Sequence, residues 1–130
     1  MRVVIMAVIG LIAFVQASSA AEKYPDMLGT WTGTADRVIA DANGRIEFRT
    51  DQITVEITEQ RDRRFVGRLV LEGNDVQIIG VFLERTTFRW AQPAGFADGR
   101  LLHPNTFETC FLRLSEFSKI AACETLNRKK

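Results

Sequence analysis

Between Ile53 and Thr58 apolar and polar residues alternate for six positions, the pattern of a β-strand with one face buried and the other in water. Its inward set is Ile53, Val55 and Ile57. The surrounding chain repeats the theme. Short segments rich in Val, Ile, Phe and Thr follow one another, separated by turn residues, and apolar residues seldom recur at helical spacing. A chain punctuated in this way folds as an antiparallel meander.

The charged cluster Arg61-Asp62-Arg63-Arg64 makes a solvated turn. Phe65 to Glu72 then runs back, and pairing Ile57 with Gly67, Val55 with Leu69 and Ile53 with Leu71 puts both apolar sets on one face. Gly73-Asn74 reads as a two-residue hairpin loop. That loop predicts Leu71 opposite Val76, Leu69 opposite Ile78, Gly67 opposite Gly80 and Phe65 opposite Phe82. Facing glycines mark a place where a sheet curls, which favours a barrel over a flat sheet.

The strand from Val76 to Leu83 has a second apolar face, Ile79, Val81 and Leu83, a candidate contact between copies of the chain. After a reversal at Glu84-Arg85, burial puts Phe88 and Trp90 inside, with Trp90 over Gly80 and Arg89 outside. Ala91 to Asp98, with Pro93 and Gly95, reads as the longest loop, and Gly99 to Leu102 as a short strand ended by His103-Pro104-Asn105. A hairpin centred between Glu116 and Phe117 sets Cys110 opposite Cys123, Leu112 opposite Ala121 and Phe111 opposite Ala122.

The first twenty residues read as a secretory signal peptide. Arg2 precedes an apolar run from Val3 to Val15, and Ser18-Ser19-Ala20 supplies the cleavage pattern. The run is shorter than the roughly 20 residues of a membrane-spanning helix. Residues 1–20 are therefore the leader and residues 21–130 one domain, expected in the periplasm or outside the cell with no membrane attachment after cleavage. In that oxidising setting the two cysteines form a disulfide. The lead-in Ala21 to Met27 has room for one helical turn at Pro25-Asp26. A possible extra strand around Ile46 to Arg49 brings the total to roughly eight, so the expected fold is all-β: a small antiparallel up-and-down β-barrel.

Because Arg2 is the one charge in the leader, the mature chain carries 16 basic and 16 acidic residues. Such a balance gives no long-range field to attract nucleic acid or an anionic membrane.

The first strand begins Leu28-Gly29-Thr30-Trp31. Its Gly29-Thr30-Trp31 resembles the Gly-x-Trp that opens the first strand of the calycin barrels, the group of lipocalins, fatty-acid-binding proteins, avidins and a family of bacterial metalloprotease inhibitors. The resemblance implies that an Arg from the last strand packs on this Trp and closes the barrel's end. Arg128 stands at that place, on the face of Phe107, Phe111, Ala122 and Leu126. Gly33 occupies the position where an avidin carries a polar biotin contact, which speaks against biotin.

Catalytic chemistry finds little support. His103 is the only histidine and reads as a turn residue; Ser115 and Ser118 lie at a hairpin tip, and no Gly-x-Ser-x-Gly elbow exists. No enzyme activity, metal or cofactor is expected. Glu124 points inward beside Thr109, with Arg113 as a partner on the same face or with water at the barrel mouth. The preferred reading is a binding module for a small apolar or amphipathic ligand, with Phe88, Trp90 and Phe111 as walls and Thr109 and Glu124 as polar contacts. The alternative is a packed barrel that binds a protein, such as an inhibitor of a secreted hydrolase.

Overall fold

The computed structural model describes residues 23–93 and 95–130; the expected leader lies outside them. Eight strands among the described residues follow in chain order: β1 (Gly29–Asp41), β2 (Ile46–Arg61), β3 (Arg64–Leu71), β4 (Asn74–Phe82), β5 (Thr87–Gln92), β6 (Gly95–His103), β7 (Thr106–Leu114) and β8 (Ser118–Arg128). Each pairs antiparallel with the next, and β8 returns to β1 to close the barrel. Closure pairs every strand edge, which removes the exposed ladder that an open sheet would present.

Several registers are as the residue pattern predicts. Val55 faces Leu69 and Ile57 faces Gly67, Trp90 faces Gly80, and Cys110 faces Cys123 with Phe111 against Ala122. The cysteines form a disulfide with Cα atoms 4.1 Å apart, on the outside of the barrel.

Four local expectations are corrected. The β3–β4 loop is Glu72-Gly73, with Leu71 facing Asn74, so β4 sits two residues from its predicted register. Glu72 and Gly73 both have positive φ, 52° and 76°, as a type I′ turn demands, and that turn takes its glycine second rather than first. A slip of two leaves every side chain on its predicted face. Gly80 consequently faces Phe65 instead of Gly67. Secondly, the proposed loop over Ala91 to Asp98 is largely strand, β5 reaching Gln92 and β6 beginning at Gly95, which faces it; Gly95 and Gly99 disguised the ladder. Thirdly, the segment at Ile46 to Arg49 is no separate strand but the start of β2. Lastly, the lead-in makes no helical turn.

That lead-in is a plug. Met27 is fully buried and Tyr24 packs on Phe82 at 5.6 Å. A bulge between Ile57 and Glu59 changes the phase of β2, so that Gln60 faces the buried Phe65. Gln60 Oε1 then accepts from the Met27 amide at 2.8 Å, and its Nε2 donates to the Pro25 carbonyl at 2.8 Å.

The core occupies this end of the barrel. Trp31, Phe65, Phe82, Phe88, Trp90 and Phe107 are all at least 98% buried, with Phe88 stacked on Trp90 at 5.6 Å and edge-on to Phe107 at 5.4 Å. Rings of this size fit because glycines face them. A Cβ on Gly80 would lie 2.2 Å from the Phe65 ring, and one on Gly99 2.2 Å from the Phe88 ring. Outward positions carry cross-strand ion pairs instead, among them Glu56–Arg68–Asp75 and Arg89–Asp98. Ile79 on β4 and Leu83 just after it are exposed at 55% and 51%.

Candidate functional site

Along the inward-facing positions of the strands, residue character changes from one end of the barrel to the other. On β1 the inward series is Trp31, Gly33, Ala35, Arg37; on β2 it is Ile57, Val55, Ile53, Asp51, Arg49; on β7 it is Phe107, Thr109, Phe111, Arg113. Apolar bulk gives way to charge. Polar side chains cannot fill a dry core without partners, so the packed half ends where these residues begin, and the lumen opens there.

The opening is a cavity of about 260 Å³. Its apolar wall comes from Ala35 on β1, Ile53 on β2, Leu69 and Leu71 on β3, Val76 on β4, Phe111 on β7, and Ile120 and Ala122 on β8. Arg37, Glu72, Asn74, Gln92, Arg113 and Glu124 supply its polar groups. An apolar cavity of about 150 Å³ is enough to take up benzene, so this one admits a small organic molecule.

One side of the mouth is held by a charge network. Arg37 Nε donates to Asp51 Oδ2 at 2.9 Å and its Nη2 pairs with Asp51 and, at 3.1 Å, with Glu72. Arg49 joins the same two carboxylates. The positive φ of Glu72 belongs to the turn that brings its carboxylate to both arginines. Glu47 also pairs with Arg49, at 3.6 Å, so two arginines meet three carboxylates here.

The opposite wall differs. Glu124 is only 6% exposed, and no described residue hydrogen-bonds or pairs with it. Burial in this apolar wall pushes its carboxyl from an ordinary 4.5 up to about 8. Thr109 directly faces it across the β7–β8 ladder, and the Thr109 hydroxyl is buried with no hydrogen-bond partner. Arg113, offered above as the partner of Glu124, donates from Nη2 to Ser118 instead, while its buried Nε has no acceptor. Arg113 stands four positions along β7 from Thr109, toward the mouth.

Of the candidate contacts read from the sequence, the structure brings Phe111 and Glu124 to the cavity and sets Thr109 beside Glu124. Phe88 and Trp90 sit below, inside the packed aromatic cluster, and reach the cavity only through Gln92, whose Oε1 accepts from Trp90 Nε1 at 3.0 Å. The sequence reading missed Arg37, Asp51, Glu72 and Gln92. Continuing the inward alternation of the first two strands past their apolar part would have found Arg37 and Asp51.

At the other end Trp31 and Arg128 face each other across β1 and β8. The guanidinium lies 4.2 Å from the indole centroid and donates to the carbonyls of Leu28, Asp26 and Pro104. Trp31 Nε1 donates to the Met27 carbonyl at 2.9 Å. His103 is exposed, but as the last residue of β6 rather than in the turn that follows, and no group of metal-ligating side chains occurs among the described residues. The disulfide, with no described helix long and apolar enough to cross a membrane, is compatible with a periplasmic or extracellular protein.

No family model matches the chain, and no curated protein matches it. Among solved structures, the chain is similar to a redesigned β-barrel, with 16% identity and a TM-score of 0.48 over 79% of this chain and 91% of the other. It is also similar to an S-type phycobiliprotein lyase from Guillardia theta, with 12% identity and a TM-score of 0.43 over 80% of this chain and 89% of that one. Both are likenesses at the level of a small β-barrel.

Proposed function

We propose that the protein is a secreted or periplasmic binding module that holds one small amphipathic ligand in the open half of its barrel, without catalysis. The observation that carries this reading is the cavity of about 260 Å³, whose wall contains the Glu124 carboxyl and the Arg113 Nε, both left without protein partners. Buried polar groups are ordinarily satisfied, and a wall that leaves two unpaired beside an apolar space is suited to a guest that supplies the missing contacts. The ion pairs on the outer face support a barrel surrounded by water.

The test is native mass spectrometry of the mature protein purified from its own compartment without refolding. The expected result is a stoichiometric extra mass of small-molecule size, lost on denaturation. A bare mass, together with no thermal stabilisation by any amphipathic additive, would overturn the proposal, because a guest that binds only the folded state raises its stability by mass action.

A second reading rests on the rim. Leu114 and Phe117, on the β7–β8 hairpin at the open end, are 80% and 77% exposed, a surface suited to a protein partner such as a secreted hydrolase. Replacing both with Ser would abolish such a contact and leave small-molecule binding intact.

A further inference from the structure

Resting on the carrier reading above, the chemistry of the ligand follows from where the unpartnered groups stand. Arg113 lies at the outer end of the inward series on β7, then Phe111, then Thr109. On β8 the matching series is Ile120, Ala122 and Glu124. Four residues of strand separate the two polar levels, roughly 13 Å of backbone. The wall thus has a cation at the mouth, an apolar stretch, and a carboxyl at the inner level, with Thr109 facing that carboxyl's residue across the ladder.

The two levels differ in charge. Arg37 and Arg49 have Asp51, Glu72 and, for Arg49, Glu47 as partners; Arg113 has no carboxylate partner among the described residues, and its Nε lacks an acceptor. The strands β2, β3 and β4 present Ile53, Leu69, Leu71 and Val76 to the same space. Around Glu124 stand Ala35 on β1 and Thr109 on β7, with Arg37, Glu72, Gln92 and Arg113 the other polar side chains of the lining that bear on it.

We infer that the cavity takes a bipolar ligand: an anionic group, of carboxylate type, held by Arg113 at the mouth, an apolar body along Phe111 and Ala122, and a hydroxyl or carbonyl oxygen at the inner end that bonds to Glu124. A carboxylate is the acceptor that a guanidinium with no carboxylate partner fits best. The inner carboxyl, raised to about 8, is mostly protonated at neutral pH and donates to the ligand oxygen. A cationic ligand would meet Arg113, which no carboxylate pairs directly, on its way in.

Isothermal titration calorimetry on the oxidised mature protein, with omega-hydroxyoctanoate, octanoate, octanol and octylamine as probes, tests this. Omega-hydroxyoctanoate binds most tightly and octylamine most weakly. Arg113→Met weakens both carboxylates about 10- to 100-fold, the range of a charge-assisted hydrogen bond, and leaves octanol unchanged; Arg113→Lys recovers part of the loss. Affinity for omega-hydroxyoctanoate falls about tenfold between about pH 7 and pH 9 as Glu124 ionises, and stays level in Glu124→Gln. Tighter binding of octylamine than of octanoate, or carboxylate affinity indifferent to Arg113, would overturn the ligand class and leave the carrier reading standing. Saturable binding of none of the four probes would overturn both.

Discussion

The two ends of this barrel solve opposite problems with one set of strands. At the closed end, Trp31 is completely buried between Arg128 and Phe107, with its ring nitrogen bonded to the plug that Met27 drives into the lumen. Every large side chain there has a neighbour, and the polar atoms of Trp31 and Gln60 have partners. At the open end Phe111, Ala122 and Glu124 line the cavity, and the buried Thr109 hydroxyl and Arg113 Nε have no hydrogen-bond partner. One half is built for stability. The other half keeps unsatisfied groups that cost stability, as binding sites do.

The largest effect should come from the pH dependence of that cost. Glu124 is held near 8 in the folded protein against an ordinary 4.5, so between those values the folded state keeps a proton that the unfolded state has lost. Stability therefore falls as pH rises from about 4.5 to about 8 and levels off above. The total is at most about 5 kcal/mol, because each tenfold difference in proton affinity between the two states is worth about 1.4 kcal/mol. Urea midpoints across that range measure it, and Glu124→Gln flattens the profile while raising stability on the alkaline side. A flat profile in the parent protein would mean that the open end is as well satisfied as the closed one.

Truncating one aromatic at each end makes the comparison directly. Trp31→Ala removes a fully buried ring and the Arg128 and Met27 contacts with it, and costs about 3–5 kcal/mol. Phe111→Ala enlarges a space that already exists and costs about 1–2 kcal/mol. Equal losses in urea denaturation would show that the cavity wall is packed as tightly as the plugged end.

The disulfide is smaller again in effect. It clamps β7 to β8 from outside, at the level of the wall that carries Thr109 and Glu124. The double variant Cys110→Ser, Cys123→Ser loses about 3 kcal/mol in the chain-entropy account of a loop this long. Thiol titration of the unfolded, unreduced parent protein finds no free thiol, in keeping with a bonded pair and no other cysteine among the described residues.

The smallest effect tests the glycines of the packed half. Gly80→Ala and Gly99→Ala each push a Cβ into a phenylalanine ring and cost about 1–3 kcal/mol as overpacking. In each, relief by shortening the facing Phe65 or Phe88 to Leu would show that the clash is with the ring and not with the backbone.

Much of the closed end was legible in the chain. Ile53, Val55 and Ile57 alternate with polar residues, Trp31 and Arg128 stand on the first and last strands, and Cys110 and Cys123 register the last hairpin. Each of these is a short-range pattern or a single long-range pairing. The β3–β4 register differs from its expectation because a Gly-Asn pair suggests one loop, while the backbone places Glu72 and Gly73 at positive φ. Turn type depends on how the flanking strands twist, which composition does not reveal. The strand status of Ala91 to Asp98 was hidden by Pro93, Gly95 and Gly99, residues that punctuate loops in most contexts yet here border a two-residue connection or make room for Phe88.

The site divides in the same way. That Glu124 points inward beside Thr109 follows from alternation alone, since a strand exposes its residues to two faces and Cys110 and Cys123 set the phase. That Phe88 and Trp90 belong to the packed cluster while Phe111 borders the cavity does not follow, because alternation gives the face of a residue but not its height along the barrel axis. Height depends on the stagger accumulated around all eight strands. Local pattern therefore determined the strands, their inward faces and the bridge. Only closure of β8 on β1 decided which inward residues meet a plug and which meet an empty lumen, because that meeting joins side chains brought together by the sum of every register between them.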